Sequence, residues 1–348
     1  MNQVIKVLIV DDSAYVRNLI ERILNFSPFI EVIGKARNGN EALEMVEALS
    51  PDVVLLDLLM PEMDGLTFII KQMKRQPVRI IIVSILSESQ KIIIDALNAG
   101  AIDFIKKPTA LATKIISEIR DDLIQKIKTA AVAELKQLTK IYDQTFVQKK
   151  PHEIIASKGN FDVIVIGIST GGPQALRYLI PQFPANFPIP IVIVLHMPEG
   201  YTEMYSESLN ELSAIQVKEA RKGDRLMPGT VTIAPAGYHL TLNKDAHNHV
   251  VFHLDRKPYD KLHRPSADIL FSSASEMFKE RVLGIIMTGM GNDGKEGVAW
   301  IKANGGTVLT ESKETCVIYG MPRAVDEIGL SDKRVPLYQM AAVIKDLI

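Results

Sequence analysis

The sequence predicts an α/β fold built as two doubly wound parallel-sheet domains, joined by a helical and then polar linker. Three observations lead there. Short, uninterrupted β-branched runs alternate with stretches of helical periodicity, the pattern of parallel strands covered on both faces by crossover helices. That alternation runs through residues 6–105, gives way to a long charged helical stretch, and starts again near residue 161. A chain of 348 residues also exceeds what one ordinary core holds.

Residues 6–10 (Lys-Val-Leu-Ile-Val) form a short buried-strand signal, and Asp11-Asp12-Ser13 begins a helical pattern through Leu24. A second strand is expected at Ile30–Lys35 and a helix at Gly39–Leu49. Val53–Asp57 is a third apolar strand, ended by a carboxylate and followed by Met60-Pro61. Arg79–Ser84, with three consecutive isoleucines, is a fourth, and Ile102–Ile105 a fifth, ending at Lys106-Lys107-Pro108. From Ala110 to Tyr142 Lys, Glu, Leu and Ile recur at helical spacing without Gly or Pro, and Gln148-Lys149-Lys150-Pro151-His152 then reads as linker. In the second half, buried strands are expected at Phe161–Gly167, Ile189–Leu195, Val231–Ala234, Val282–Met287 and Gly306–Thr310. A helix should follow Gly171-Gly172-Pro173, and the His-rich segment Asp245–Leu254 alternates like an antiparallel ribbon.

Composition narrows the function. Hydrophobic residues make up 47%, charged residues 23%, and the net charge is -1. That balance argues against broad nucleic-acid binding, which needs a basic face to displace counterions. No apolar run is long enough to span a bilayer, and the first residues lack the pattern of a secretory signal, so no membrane insertion and a cytoplasmic location are expected. The single cysteine, Cys316, fits a reducing compartment and reads as a small buried side chain, since no basic partner lies beside it in sequence.

Two clusters carry chemistry. In an open α/β sheet, ligands collect at the carboxyl ends of the strands. Asp11, Asp12, Asp57, Ser84 and Lys107 all fall at expected strand ends of the first domain. Three carboxylates together repel one another, and a hard cation such as Mg²⁺ relieves that. The alternative is that Asp11 and Asp12 are helix caps; capping accounts for Asp12 or Ser13, but not for an acid, a hydroxyl and a lysine at the ends of three other strands. The pieces Val-Asp-Asp-Ser, Leu-Leu-Asp-Leu-Leu-Met-Pro-Glu-Met-Asp-Gly, Val-Ser and Lys-Lys-Pro resemble the receiver domain of two-component response regulators. The resemblance implies a flavodoxin-like fold, Asp57 as phosphoacceptor, and Asp12, Asp57 and the backbone carbonyl of Leu59 as Mg²⁺ ligands, with Asp11 assisting. It also implies Ser84, Phe104 and Lys107 as the groups that respond to the phosphate.

In the second domain, Gly167-Ile168-Ser169-Thr170-Gly171 sets a serine at a strand-to-helix turn, where flanking glycines let the backbone turn sharply and helix-start N–H groups can meet an oxyanion. A serine needs a base, and the base an orienting acid. Of seven histidines, His196 follows a buried strand and so shares the serine's edge. His152 falls in the linker. His239 and His263 fall in loops, as candidates to line the site. His247, His249 and His253 read as solvated, and the spacing of 247 and 249 lacks the companions of a metal site. Asp293, in the Gly-rich run Met287-Thr-Gly-Met-Gly-Asn-Asp-Gly294, is the candidate acid; the same run also reads as a tight turn. No Gly-Lys-Ser/Thr follows the serine turn, which argues against a P-loop, and the order Ser, His, Asp differs from that of α/β-hydrolases.

Together, Ile-Gly-Ile-Ser-Thr-Gly-Gly-Pro-Gln-Ala-Leu, His-Met-Pro-Glu-Gly-Tyr-Thr, His-Arg-Pro-Ser-Ala-Asp-Ile-Leu-Phe, Thr-Gly-Met-Gly-Asn-Asp-Gly and Thr-Cys-Val-Ile-Tyr-Gly-Met-Pro-Arg resemble the chemotaxis protein-glutamate methylesterases. The resemblance covers nearly the whole chain. It implies a receiver over 1–125, a linker over 126–157 and a Rossmann-like methylesterase domain over 158–348. It implies Ser169, His196 and Asp293 as a triad, with Thr170 and Met290 backbone N–H groups as the oxyanion hole. Methyl-accepting chemoreceptors as substrate and a chemotaxis histidine kinase as phosphodonor are implied too. Ile168 and Leu195 depart from the alanine and glutamine usual beside the serine and histidine. Two rival readings are a receiver driving a DNA-binding output, disfavoured by the neutral charge and the lack of a helix-turn-helix pattern, and a Gly-rich nucleotide-binding adaptor without a triad.

Overall fold

The computed structural model describes residues 4–84, 90–107, 113–134, 159–258, 260–261 and 263–348. The chain divides into two compact units, Met1–Asp143 and Gln144–Ile348. Most of the expected linker, together with Pro108 and His152, lies outside the described residues.

In the first unit, strands β1 (Ile5–Val10), β2 (Ile30–Ala36), β3 (Val53–Leu56), β4 (Arg79–Ser84) and β5 (Asp103–Lys106) form one parallel sheet in the order β2-β1-β3-β4-β5. The central strands are solidly apolar because both faces are covered: Val7 to Val10, Val53 to Leu56 and Ile80 to Val83 are all buried. Helix Ala14–Leu24 presents Ile20, Ile23 and Leu24 to the sheet, and helix Gly65–Arg75 presents Phe68 and Ile69. Ser13, not Asp12, caps the first of these, its Oγ accepting from the Val16 N–H. Asp12 is therefore not spent on capping. Helix Thr113–Ala131 continues past residue 125.

In the second unit, β6 (Val163–Ile168), β7 (Ile191–Leu195), β8 (Gln216–Glu219), β9 (Thr230–Ile233), β12 (Val282–Ile286), β13 (Thr307–Glu311) and β14 (Lys333–Val335) form a parallel sheet in the order β14-β13-β12-β6-β7-β9-β8. The short, polar-flanked edge strands β8 and β14 carry too little apolar pattern to be read from sequence. The His-rich segment departs from expectation. Val250–Asp255 is a strand, β11, but its partner is β10 (His239–Lys244), and residues 245–249 are the turn between them. Leu240 and Leu242 of β10 and Phe252 of β11 face the core, joined there by Leu270, Phe271 and Ala274 of helix Ala267–Phe278. The alternation that matters thus begins six residues earlier than the histidines suggest.

Both sheets change winding direction once. In the first the chain steps from β1 out to β2, then back across to β3; in the second β7, β9 and β8 lie on one side of β6, and β12, β13 and β14 on the other. Crossovers leaving adjacent strands in opposite directions open a crevice at the carboxyl ends, between β1 and β3 and between β6 and β12.

Phe271 is fully buried in the second unit's core. Phe271→Ala should remove about 3–5 kcal/mol from that unit. Chemical denaturation followed by tryptophan fluorescence of Trp300 would show a lowered midpoint; an unchanged midpoint would mean the helix does not anchor this core.

Candidate functional site

The first crevice gathers carboxylates. Asp11 and Asp12 follow β1, and Asp57 follows β3; one oxygen from each lies within 4.8 Å of the others. Lys107, just beyond β5, reaches in from the side, its Nζ 2.8 Å from Asp11 Oδ2 and 3.0 Å from Asp57 Oδ2. Asp57 Oδ1 accepts from the Leu58 N–H at 2.9 Å. Burial pushes the carboxyls of Asp11 and Asp57 up, against the pull of Lys107. Burial also pulls on Lys107, but two carboxylate partners outweigh it and hold the ammonium above its usual range. One ammonium facing three carboxyl groups leaves negative charge uncompensated, and hard oxygen donors at this spacing suit a divalent cation. Asp11, Asp57, Ser84, Phe104 and Lys107 are all buried, while Asp12 and Leu59 are exposed at the rim. Ser84 ends β4 and its carbonyl accepts from the Lys107 N–H at 2.8 Å; Phe104 lies on β5 beside Ile82.

The second crevice is organised by a serine turn. β6 delivers Ser169, whose N–H donates to the Thr288 carbonyl at 3.0 Å, while its own carbonyl accepts from the Gly172 N–H at 2.6 Å. Gly171 stands at φ +79, a conformation that costs glycine little, and helix Gly172–Leu179 begins at once with Pro173 in its first turn. At Gly289 a Cβ would fall 2.7 Å from Ser169 Cβ, so only glycine lets the loop after β12 lie against the serine. His196 follows β7, and its backbone N–H donates to the carbonyl of Ile168, the residue before the serine. That bond brings His196 to the serine turn.

His196 Nε2 lies 2.8 Å from Asp293 Oδ2. Asp293 is also the anchor for the start of helix Ala267–Phe278. Its Oδ1 accepts from the Ser266 hydroxyl at 2.7 Å and from the Asp268 N–H at 3.2 Å, and its Oδ2 accepts from the Ala267 N–H at 2.7 Å. Burial alone would push this carboxyl up, but the bonds from His196, Ser266 and the helix N–H groups outweigh it and hold Asp293 far below the usual carboxylate range. Asp293 is thus an acceptor, and Nε2 carries the imidazole proton. The other nitrogen, Nδ1, is buried and has no hydrogen-bond partner among the described residues. The His263 ring stacks on His196, centroids 4.1 Å apart and planes 20° from parallel.

The structure therefore brings Ser169, His196 and Asp293 to one edge, although 124 residues separate the first from the last. Thr170 follows Ser169 on the same turn, and Met290 lies on the loop after β12. His239 is buried on β10, its Nε2 3.1 Å from the Pro258 carbonyl, near enough to Asp293 to feel its charge but not hydrogen-bonded to it. His249 stays at the hairpin turn with Asp245. Ser266 is a site contact that sequence reasoning did not assign, whereas His263, expected as a candidate to line the site, stacks on His196; both lie in the run His-Arg-Pro-Ser-Ala-Asp. Cys316 is buried, as expected of a small core side chain. Among the described residues no helix is long and apolar enough to cross a membrane.

Comparison with known proteins identifies a family for each half of the chain. Residues 164–344 match the family model of the CheB methylesterase, and residues 7–120 match that of the response regulator receiver domain. A protein-glutamate methylesterase/protein-glutamine glutaminase of Myxococcus xanthus is 42% identical over 344 residues, spanning 98% of this chain and 97% of its own length. A Thermotoga maritima protein of the same description is 40% identical over 352 residues, spanning 100% of this chain and 99% of its own. The crystal structure of the Thermotoga maritima CheB methylesterase catalytic domain superimposes with a TM-score of 0.53 at 42% identity, covering 54% of this chain and 99% of that domain. With both of its units matched and full-length relatives near 40% identity, the chain belongs to the CheB methylesterase family, in the form that carries a response regulator receiver domain ahead of the esterase.

Proposed function

We propose that this protein hydrolyses γ-glutamyl methyl esters on methyl-accepting chemoreceptors, and deamidates their glutamines, by a serine mechanism governed by phosphorylation of Asp57. The observation that carries the reading is the His196–Asp293 hydrogen bond held against the Ser169 turn, with Nδ1 left unpartnered. Ser169 is the nucleophile. Nδ1 of His196 takes its proton as the hydroxyl attacks the ester carbonyl, and Asp293, ionised and accepting from Nε2–H, fixes the tautomer and stabilises the imidazolium. Backbone N–H groups of Thr170 and Met290 meet the oxyanion. Methanol leaves with the proton returned from His196, and water then releases the glutamate. An amide offers the same carbonyl, with ammonia leaving in place of methanol. His263, stacked on His196, limits rotation of the imidazole.

In the receiver, Asp57 accepts the phosphoryl group from a chemotaxis histidine kinase. The acidic pocket fits a divalent cation, and Asp12, Asp57 and the Leu59 carbonyl would hold Mg²⁺, with Asp11 alongside. Such an ion would neutralise charge on the transferring phosphoryl group. Lys107 already bridges Asp11 and Asp57, so a phosphate on Asp57 competes for its ammonium. Ser84 and Phe104 then adjust on β4 and β5. The receiver spans 1–125 and the esterase 158–348 in this reading, with 126–157 between them. A cytoplasmic protein would meet both its kinase and the receptors' cytoplasmic helices.

Ser169→Ala should lower methanol release from methylated receptor by at least about 10³-fold while leaving the fold unchanged; near-normal release would remove the serine from the mechanism. Asp57→Asn should abolish any change in esterase rate produced by a small-molecule phosphodonor with Mg²⁺, while the rate without phosphodonor stays within about threefold of wild type, since the substitution lies outside the esterase unit. A variant that still responded would place the switch elsewhere.

A further inference from the structure

Glu311 ends β13 and is fully buried. No cation pairs with it among the described residues. Its Oε2 accepts from the Thr288 N–H at 2.9 Å, and its Oε1 from the Thr315 hydroxyl at 2.9 Å. Isolated carboxylates are costly to bury, and a core position next to a catalytic loop could have been filled by an apolar side chain. What Thr288 does explains the choice. Its carbonyl accepts from the Ser169 N–H, and its hydroxyl donates to the Thr170 carbonyl at 3.0 Å. It also accepts from the Ile318 N–H at 3.0 Å. One threonine therefore grips both residues of the serine turn and the neighbouring loop, and the backbone of that threonine is gripped by Glu311.

We propose, on the basis of the serine-esterase reading above, that Glu311 is a positioning residue: its carboxylate holds Thr288, and Thr288 holds Ser169 and Thr170 in the reactive geometry. The ionised form does this best, because a carboxylate accepts more strongly from an amide N–H than a neutral acid does. Protonation would also turn the Thr315 hydroxyl from donor into acceptor, sending its proton toward the more distant Ser312 carbonyl at 3.3 Å. Burial drives the Glu311 pKa up to about 7, against the Thr288 N–H, the Thr315 hydroxyl and the Cys316 thiol, so the grip changes within the physiological range. Cys316 is the ionisable neighbour on the following loop, and burial together with the charge of Glu311 keeps its thiol neutral. Asp326 is engaged by Arg334 of β14 and by the Tyr319 hydroxyl. Val335 is the strand neighbour of Glu311, and β12 on the other side is apolar.

The test compares the whole chain as wild type, Glu311→Gln and Glu311→Leu, assayed by methanol release from methylated receptor between pH 6 and pH 8.5 with phosphodonor and Mg²⁺. Gln is a fixed analogue of the protonated acid; Leu removes the acceptor. Near pH 8 the Gln variant should lose up to about tenfold in kcat with little change in KM, and Leu about 10²-fold, the scale of a misplaced reacting group. The Gln and wild-type curves should converge near pH 6, where roughly one glutamate in ten remains ionised for a pKa near 7. Amide resonances give a readout independent of catalysis. Those of Thr288, Ser169 and Thr170 should shift with a shared midpoint near neutrality in wild type, and that component should vanish in Glu311→Gln. Unaltered pH profiles in the Gln variant, wild-type kcat in the Leu variant, or a titration that persists in the Gln variant would overturn the role of Glu311. A Ser169→Ala chain as active as wild type would instead overturn the esterase reading, leaving the amide titration to decide the Glu311 contact by itself.

Discussion

Parallel strands can be joined only by crossovers, and a crossover brings the chain back to start each strand at the same edge. Every strand in a parallel sheet consequently ends at one edge, and the loops that leave those ends are neighbours whatever their separation in sequence. Where the winding reverses, two adjacent loops diverge and leave room for a ligand. Both units of this protein use that constraint. Between β1 and β3 it assembles Asp11, Asp12 and Asp57; between β6 and β12 it assembles the serine turn and the Gly-rich loop of Asp293, with His196 arriving from β7. Apolar strands such as Val163–Ile168 and Ile191–Leu195 supply the rigid floor that makes such loop positions reproducible.

On that floor the number and charge of hydrogen-bond donors decide what each buried carboxyl does. Asp11 and Asp57 share a single ammonium, so burial prevails and both are raised, which leaves the pocket receptive to a cation. Asp293 receives a hydroxyl, two helix N–H groups and an imidazole, and is held ionised under all ordinary conditions. That is what an orienting acid requires: a fixed acceptor that never takes the proton itself. Glu311 has only neutral donors and falls between these extremes, near 7. Three environments within one chain thus give an acidic pocket suited to a cation, a carboxylate held ionised, and a buried acid raised toward neutrality.

The serine site is also a helix-capping device. Helix Ala267–Phe278 packs Leu270, Phe271 and Ala274 into the core, and its open N–H groups at the start close on Asp293 rather than on a side chain of their own segment. The acid is therefore fixed by the same packing that stabilises the domain. On the opposite side of the turn, Gly289 and Thr288 press against Ser169 from the loop after β12. Stability and geometry are coupled here, because the elements that bury the core are the elements that set the distances.

Much of this was legible in the order of residues. Apolar runs ended by Asp57, Ser84, Lys107, Ser169 and His196 marked strand ends, and the strand-end rule alone selected His196 from seven histidines. The family likeness rested on motifs of the same kind, since local chemistry constrains neighbours in sequence. Residues whose role depends on packing left no such trace. Short edge strands β8 and β14, the true partner of β11, the His263 stack, the choice of Nε2 for Asp293 and the Glu311–Thr288 bond each depend on segments far apart in the chain. The sequence by itself determined the strand-helix alternation and the chemical groups available at each strand end, because periodicity and turn chemistry are local. Only the tertiary structure decided which nitrogen faces which carboxylate and which buried acid supports the serine, because burial and donor geometry arise when distant loops meet at one sheet edge.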